Sequence, residues 1–195
     1  MRGGVNLVSQ LAEEERRPGV ITASTGNHGQ SIAYASGLLG VRAIIVVPEG
    51  ANPGKVESIR NLGGEVIFHG RTFDDARKHA ERLSREEGYR YIHSANEPAL
   101  IAGVGTYTLE IIQELSDVDV IIVLVGGGSG ACGTCIAAKG INPRIQVIAA
   151  QAAEAPAAYL SWKEGRIVEA PNKTEAEGLA TQIGFELPQP SSEIC

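Results

Sequence analysis

Residues 24–30 read STGNHGQ, from Ser24 to Gln30, and they join an apolar strand, Val20–Ala23, to a helix that starts near Gln30. The segment combines hydroxyls, an amide, an imidazole and two glycines. A turn at the start of a helix exposes backbone N–H groups, the helix dipole adds partial positive charge, and glycine lets a ligand approach the main chain. The segment therefore predicts a site for a carboxylate or a phosphate.

A second glycine cluster, GGGSG at residues 126–130, follows the apolar run Val118–Val125. The small residues after it predict another helix, so the order strand, glycine turn, helix occurs again, in a form suited to phosphate. We expect both anion sites to lie on one sheet. Together they would suit a ligand with two negative ends, such as a phosphorylated cofactor that holds a carboxylated substrate.

Apolar, β-branched runs alternate with helical periodicity along the chain, which is typical of parallel βαβ units and predicts an α/β fold with a doubly wound sheet. Each group of strands carries one glycine turn, so we expect two lobes. The predicted strands are Val20–Ala23, Arg42–Val47, Glu65–Phe68, Val120–Val125 and Arg144–Ala150. The predicted helices are Val5–Arg16, Gln30–Leu39, Pro53–Leu62, Thr72–Glu87, Val104–Leu115, Gly130–Lys139 and Pro156–Glu164.

The composition narrows the classes of partner. The 195 residues are 43% hydrophobic, which is enough for a core, and their net charge is −6. This acidic balance argues against a nucleic-acid partner, because phosphate backbones require clustered Lys and Arg. The longest apolar runs, such as Ile121–Val125, are too short to span a bilayer, and the N-terminus shows no signal-peptide pattern. We therefore expect a cytoplasmic protein without a membrane partner.

The ordered motifs resemble the serine/threonine dehydratase (threonine ammonia-lyase) type of the pyridoxal-phosphate-dependent fold-type-II family, which also contains serine racemases and cysteine synthases. Besides the two glycine segments, the resemblance rests on RGG at 2–4, VVPEGANPGKVESIRNLGGEV at 46–66 and GLATQ at 178–182. It covers nearly all of the chain. It implies pyridoxal 5'-phosphate as cofactor, a small amino acid as substrate, and the two-lobed fold of enzymes similar to the tryptophan synthase β subunit.

The resemblance also assigns the site residues. Asn27 matches the asparagine that hydrogen-bonds the ring hydroxyl oxygen of the cofactor. The loop that receives the cofactor phosphate is matched by Gly126, Gly127, Gly128, Ser129 and Gly130. The loop around the substrate carboxylate is matched by Ser24, Thr25, Gly26, Asn27 and His28. Thr25 falls where serine racemases place a serine that acts as a second acid/base, so its hydroxyl is the candidate catalytic group.

Two departures from the family pattern concern the ends of the chain. The Schiff-base lysine of the family lies in a pattern SFKxRG, and Met1 stands at its x position, so this lysine is absent. None of the five lysines occupies a matching place. The family chain also continues past Glu186–Gln189, and the tail Pro190–Cys195 does not match it. We expect a chain truncated at both ends, inactive alone although still able to bind the cofactor loosely.

The resemblance gives a domain assignment. Residues 1–19 are predicted to form an N-terminal helix of the cleft or large-domain region, residues 20–109 the small domain with the substrate loop, and residues 110–195 an incomplete large domain with the glycine loop. Exposed edge strands left by the missing segments favour self-association, so a homo-oligomer is expected.

The predicted function is a pyridoxal-phosphate-dependent ammonia-lyase that converts a β-hydroxy amino acid to a 2-oxo acid and ammonia. The alternatives are a non-catalytic remnant or phosphate-binding module, an amino-acid racemase of the same family, and a dinucleotide-binding domain. The dinucleotide-binding alternative follows from GxGxxG at Gly128–Gly133. The next strand, however, ends at Gln151, where dinucleotide-binding domains carry the Asp or Glu that binds a ribose. Gln151 also stands where metal-activated serine racemases carry a glutamate ligand, so no metal is expected.

The cysteines give one local pattern, CGTC at Cys132–Cys135, at the start of a predicted helix. A helix start lowers a thiol pKa, which suits a redox pair. The Trp and Pro that flank such motifs in thioredoxin-like proteins are absent, so we expect the two cysteines to pack a helix against a sheet.

Overall fold

The computed structural model describes residues 1–24 and 26–186. The chain divides into two compact units, Met1–Ser94 and Ala95–Cys195. Both contain parallel strands joined by helices, which confirms the predicted α/β class. The described strands form two sheets, one of four strands and one of two, so the expectation that both glycine turns lie on a single sheet is wrong.

The first unit contains a four-stranded parallel sheet in the order β3-β2-β1-β4. Its strands are β1 Val20–Ala23, β2 Ala43–Val47, β3 Glu65–Phe68 and β4 Arg90–Tyr91. Its helices are α1 Arg2–Gln10, α2 Glu13–Arg16, α3 Asn27–Leu39, α4 Pro53–Asn61 and α5 Phe73–Glu87.

The central strands β1 and β2 are buried along their whole length. Parallel sheets of this kind carry helices on both faces, so their strands are apolar throughout and do not alternate. On one face Ile21 and Ile44 pack against Ala76 and Ala80 of α5. On the other face, the Ile45 side chain lies close to Gly29 in the first turn of α3.

Local chemistry sets the helix ends in this unit. Gly40, which directly follows the predicted helix Gln30–Leu39, closes α3 in the left-handed conformation with φ of 66°. Pro53 stands in the first turn of α4, as predicted, behind the Asn52 cap. At α5, Thr72 accepts a hydrogen bond from the Asp75 N–H and the Asp75 carboxylate accepts from the Thr72 N–H, which is a capping box.

The second unit contains the parallel pair β5 Val120–Val125 and β6 Gln146–Gln151, with Ile122 opposite Ile148. Its helices are α6 Pro98–Glu114, α7 Ser129–Ile141 and α8 Ala157–Glu164, followed by a short 3-10 helix at Glu177–Leu179. Ile121 and Ala138 pack together in its core, which joins β5 to α7.

Two glycines let α6 and α7 touch through their backbones. A Cβ on Gly133 would lie 2.8 Å from the Ile101 carbonyl oxygen, and one on Gly105 would lie 2.9 Å from the Gly133 carbonyl oxygen. Contacts this short leave no room for a side chain. The crossing therefore fixes α7 against α6 within the second unit, just after the glycine turn.

Some predicted boundaries differ from the structure. The predicted helix Val5–Arg16 is two helices, because Leu11 and Ala12 adopt extended backbone conformations between them. Helix α6 begins at Pro98, ahead of the predicted Val104, since proline suits the first turn. The two-residue strand β4 was missed because a two-residue run has no readable periodicity.

The division into units falls at Ser94 and Ala95, whereas the predicted boundary near Leu109 lies inside α6. The assignment of residues 1–19, 20–109 and 110–195 to family domains remains a prediction. Among the described residues, no helix has both the length and the apolar character needed to cross a membrane.

The helix crossing gives a matched test in α7. Gly133→Ala should lower the free energy of unfolding by about 1–3 kcal/mol, because the methyl group would be forced against the Ile101 carbonyl. Gly140→Ala should raise it by roughly 0.5–1 kcal/mol, because a Cβ there meets open space and alanine favours the helix. Urea unfolding followed by Trp162 fluorescence measures both. Equal effects of the two changes would contradict the close crossing.

Candidate functional site

The STGNHGQ turn leads directly from β1 into α3 in the first unit. Helix α3 starts at Asn27 with Gly26 as its N-cap, three residues before the predicted start at Gln30. Asn27 is an exposed residue in the first turn of α3. Thr25 lies outside the described residues, so its predicted acid/base role stays a prediction.

Ser24 shapes this turn with its side chain. Its buried hydroxyl oxygen accepts hydrogen bonds from the Gly26 N–H at 3.1 Å and the Gly29 N–H at 2.9 Å. The hydroxyl thereby satisfies one of the first-turn N–H groups that helix geometry leaves without a helical acceptor. The N–H groups of Asn27 and His28 belong to the same first turn. Direct contact of Ser24 with a substrate stays a prediction.

Gly29 is the second glycine of the turn, and it was not among the predicted site residues. A Cβ there would lie 2.9 Å from the Ile45 side chain and 3.2 Å from the Ser24 side chain. Glycine therefore lets the start of α3 sit directly on the sheet. The signal in the sequence was its place in the first turn, immediately after the polar residues.

His28 is bonded inward, toward the sheet. Its Nε2 lies 2.9 Å from the Thr22 hydroxyl oxygen, and that hydroxyl donates to the Ile92 carbonyl at 2.7 Å. Because the single hydroxyl proton goes to Ile92, Nε2–H must be the donor to Thr22. Thr22 was missed in the sequence, although a threonine within the buried strand VITA is the signal of a polar contact.

Burial lowers the pKa of His28 from its ordinary value of 6.5 to about 4, a hydrogen bond with Ile92 opposes this, and the charge of nearby His93 adds to it. The ring is therefore neutral at pH 7. Its observed contribution is to tie the first turn of α3 to β1 and to residue 92, whereas contact of the ring with a substrate carboxylate stays a prediction.

The GGGSG turn joins β5 to α7 in the second unit. Gly128 is the N-cap of α7 with φ of 93°, a left-handed conformation that favours glycine. Within the described part of the chain, no side chain caps this helix and its first turn contains no acidic residue. The first-turn N–H groups of Ser129, Gly130 and Ala131 thus meet no competing carboxylate from their own turn.

The late motif GLATQ packs against this turn. A Cβ on Gly126 would lie 2.5 Å from the Gly178 carbonyl oxygen, and the Thr181 hydroxyl donates to the Gly126 carbonyl at 3.4 Å. A Cβ on Gly127 would lie 3.4 Å from the Phe185 ring. Two separate stretches of sequence are therefore brought together, and the close packing explains why a glycine stands at residue 126.

The other predicted features lie outside the two glycine turns. Gln151, at the end of β6, accepts a hydrogen bond from the Tyr159 N–H at 2.9 Å. Cys132 and Cys135 are buried on α7, as the packing interpretation predicts. In the residues that the structure describes, no three His, Cys, Asp or Glu side chains are grouped to hold a metal.

Comparison with known proteins places these two turns in a family context. A family model described as "Pyridoxal-phosphate dependent enzyme" matches residues 1–194. The chain belongs to this family. The two glycine turns and the parallel α/β units are thus part of a pyridoxal-phosphate-dependent enzyme fold, as the sequence motifs predicted.

The most similar relatives include threonine ammonia-lyases. The L-threonine ammonia-lyase of Thermotoga maritima is 41% identical over 192 residues, which cover 96% of this chain and 48% of that protein. The processed threonine deaminase isoform 2 of Solanum lycopersicum has a TM-score of 0.93 at 36% identity, over 99% of this chain and 57% of that one.

Serine racemases are also similar. The crystal structure of the Dictyostelium discoideum enzyme has a TM-score of 0.88 at 37% identity, over 100% of this chain and 62% of that one. The chain spans about half the length of the Thermotoga maritima relative.

The lowered pKa of His28 gives a pH prediction. Between pH 6.5 and about 4 only the unfolded chain binds a proton at residue 28, so the free energy of unfolding should fall as the pH is lowered. This slope is at most about 1.4 kcal/mol per pH unit. Above the window the ionisation of His28 adds no pH dependence. Urea unfolding of the wild type and of His28→Gln at several pH values measures it.

The His28→Gln curve should be flatter in this window, because glutamine does not titrate. His79, whose pKa is also lowered, is present in both proteins and cancels in the difference. Parallel curves for the two proteins would show that His28 is not held neutral by the fold.

Proposed function

We propose that this chain forms the cofactor- and substrate-binding part of a cytoplasmic, homo-oligomeric threonine or serine ammonia-lyase that uses pyridoxal 5'-phosphate. Such an enzyme converts a β-hydroxy amino acid to a 2-oxo acid and ammonia. The observation that carries the proposal is the GGGSG turn, whose left-handed Gly128 opens a helix without a side-chain cap among the described residues. Membership of the pyridoxal-phosphate-dependent family supports a phosphate at that turn.

The residues present fit a phosphate group. The start of helix α5 would not suit an anion, because its first turn carries Asp74 and Asp75 and its N–H groups are taken by a capping box. Helix α7 has neither feature within the described residues. An anion at α7 meets N–H donors and the positive end of the dipole, and no acidic residue of that turn repels it.

The first unit supplies the proposed substrate contacts. The N–H groups of Asn27 and His28 would hold a carboxylate at the start of α3, while the Ser24 hydroxyl keeps the turn in shape. The Asn27 amide would hold the ring oxygen of the cofactor. The hydrogen bond between His28 and Thr22 keeps the His28 ring directed to the sheet. The backbone N–H of His28, and not its ring, therefore makes the proposed contact with the carboxylate.

The bound cofactor would supply an electron sink for the carbanion formed at the α-carbon of the amino acid. The chain's own contribution is to supply N–H donors for a phosphate at the start of α7 and, in the other unit, for a carboxylate at the start of α3. Thr25 would add a hydroxyl as acid or base near the substrate carboxylate. General acid/base help of this kind is typically worth about 10²–10⁴-fold in rate.

A racemase is the second candidate, favoured by the similarity to the Dictyostelium discoideum serine racemase. Racemisation requires that a proton be returned to the opposite face of the α-carbon, and the Thr25 hydroxyl would be the group that returns it. Incubation with L-serine followed by chiral separation distinguishes the two candidates. Formation of D-serine supports the racemase, and formation of pyruvate supports the lyase.

The phosphate site has a direct binding test. Gly128→Ala should weaken binding of pyridoxal 5'-phosphate at least tenfold, because a Cβ strains the left-handed N-cap and turns the first N–H groups of α7 away. Gly140→Ala, in the same helix but with open space around its Cβ, should bind like the wild type. Equilibrium titration followed by ³¹P NMR measures both.

Equal affinities of wild type, Gly128→Ala and Gly140→Ala would mean that the phosphate is not held at the GGGSG turn. The same samples should be assayed for 2-oxo acid formation from L-threonine and L-serine.

A further inference from the structure

Three hydroxyl side chains form a connected group between α6 and α7 in the second unit. Tyr107 and Thr108 lie on α6, and Thr134 lies on α7. The Thr108 hydroxyl donates to the Thr134 hydroxyl at 3.3 Å, and the Thr134 and Tyr107 hydroxyls are hydrogen-bonded to each other. The Tyr107 hydroxyl also donates to the Gly130 carbonyl oxygen at 3.3 Å.

The donors of this group can be assigned in one direction. Tyr107 has a single hydroxyl proton, which goes to Gly130, so Thr134 must donate to Tyr107. Thr108 then donates to Thr134, and every hydroxyl donates once. The chain of hydrogen bonds ends on the carbonyl of Gly130, the second residue of α7.

The position of these hydroxyls indicates a role beyond packing. Thr108 and Thr134 are fully buried, 0% exposed, in a helix crossing whose backbones already touch at Gly105 and Gly133. Buried hydroxyls stabilise a protein only when they are bonded, and apolar side chains of the same shape would fill the crossing as well. The end point of the chain of hydrogen bonds, in the GGGSG turn, is therefore its distinctive feature.

The Gly130 carbonyl and the Ala131 N–H belong to one planar peptide unit, in which they point in opposite directions. A hydrogen bond to the carbonyl fixes the direction of that N–H and polarises it, so that it becomes a stronger donor. Ala131 is the third residue of α7, before the first helical bond from the Cys132 N–H to the Gly128 carbonyl. Its N–H therefore has no helical acceptor.

We propose that Tyr107 is a positioning residue that fixes the direction and the donor strength of the Ala131 N–H through the Gly130 carbonyl. In terms of binding, this inference rests on the proposed function, in which that N–H holds the cofactor phosphate. Thr134 and Thr108 complete the arrangement, because they supply the hydrogen bond that leaves the Tyr107 proton for Gly130.

The test compares Tyr107→Phe with the triple variant Tyr107→Phe, Thr108→Val, Thr134→Val in the full chain. Tyr107→Phe should weaken binding of inorganic phosphate and of pyridoxal 5'-phosphate about 3- to 10-fold. It should also lower the thermal midpoint, because the Thr134 hydroxyl loses its acceptor. The triple variant removes all three hydroxyls, so that none is left without its partner in this group, and it should recover the thermal midpoint but not the phosphate affinity.

This separation distinguishes positioning from a purely structural role, under which affinity would recover together with stability. Tyr159→Phe is the matched control, since Tyr159 is an exposed tyrosine of the same unit on α8. Tyr159→Phe should change neither the phosphate affinity nor the thermal midpoint. Recovery of phosphate affinity in the triple variant, or unchanged affinity in Tyr107→Phe, would overturn the inference.

The amide of Ala131 gives a readout that does not require a ligand. In ¹H–¹⁵N spectra of the unliganded protein, Tyr107→Phe should move the Ala131 signal upfield and speed its hydrogen exchange, with no such change in Tyr159→Phe. If the wild type binds no phosphate, the proposed function fails, and this readout still decides the inference. An unchanged Ala131 signal would overturn it.

Discussion

The left-handed backbone of Gly128 is the constraint on which the proposed site depends. Its φ of 93° lets β5 turn directly into α7, whose start has no side-chain cap among the described residues. The surroundings allow little adjustment, because a Cβ on Gly126 would clash with Gly178 and one on Gly133 with Ile101. The glycines therefore serve close packing and the positive φ.

The two turns meet the same requirement by different means. At α3, the Ser24 hydroxyl takes one first-turn N–H and the His28–Thr22 hydrogen bond anchors the turn to the sheet. At α7, packing from Gly178 and Thr181 and the Tyr107 hydroxyl hold the backbone from outside the turn. Both arrangements keep first-turn N–H groups in fixed directions, which is the property that binding of an anion requires.

The sequence predicted the fold class and the place of both turns, because buried parallel strands such as AIIVV and the glycine clusters are strong local signals. It did not predict the packing of GLATQ on Gly126, since residues 52 positions apart in the chain come together only through the tertiary fold. The single-sheet expectation failed for the same reason, because strand periodicity does not say which strands pair. Thr22 and Tyr107 were missed because each hydroxyl acts through a partner distant in sequence.

The most direct test of the account is a map of backbone amides during titration with pyridoxal 5'-phosphate. In ¹H–¹⁵N spectra of the wild type, the largest shifts should occur at Gly128, Ser129, Gly130 and Ala131. The capped start of α5, where the N–H groups of Thr72 and Asp75 already have acceptors, should be unaffected. Shifts at α5 with none at the GGGSG turn would contradict the account.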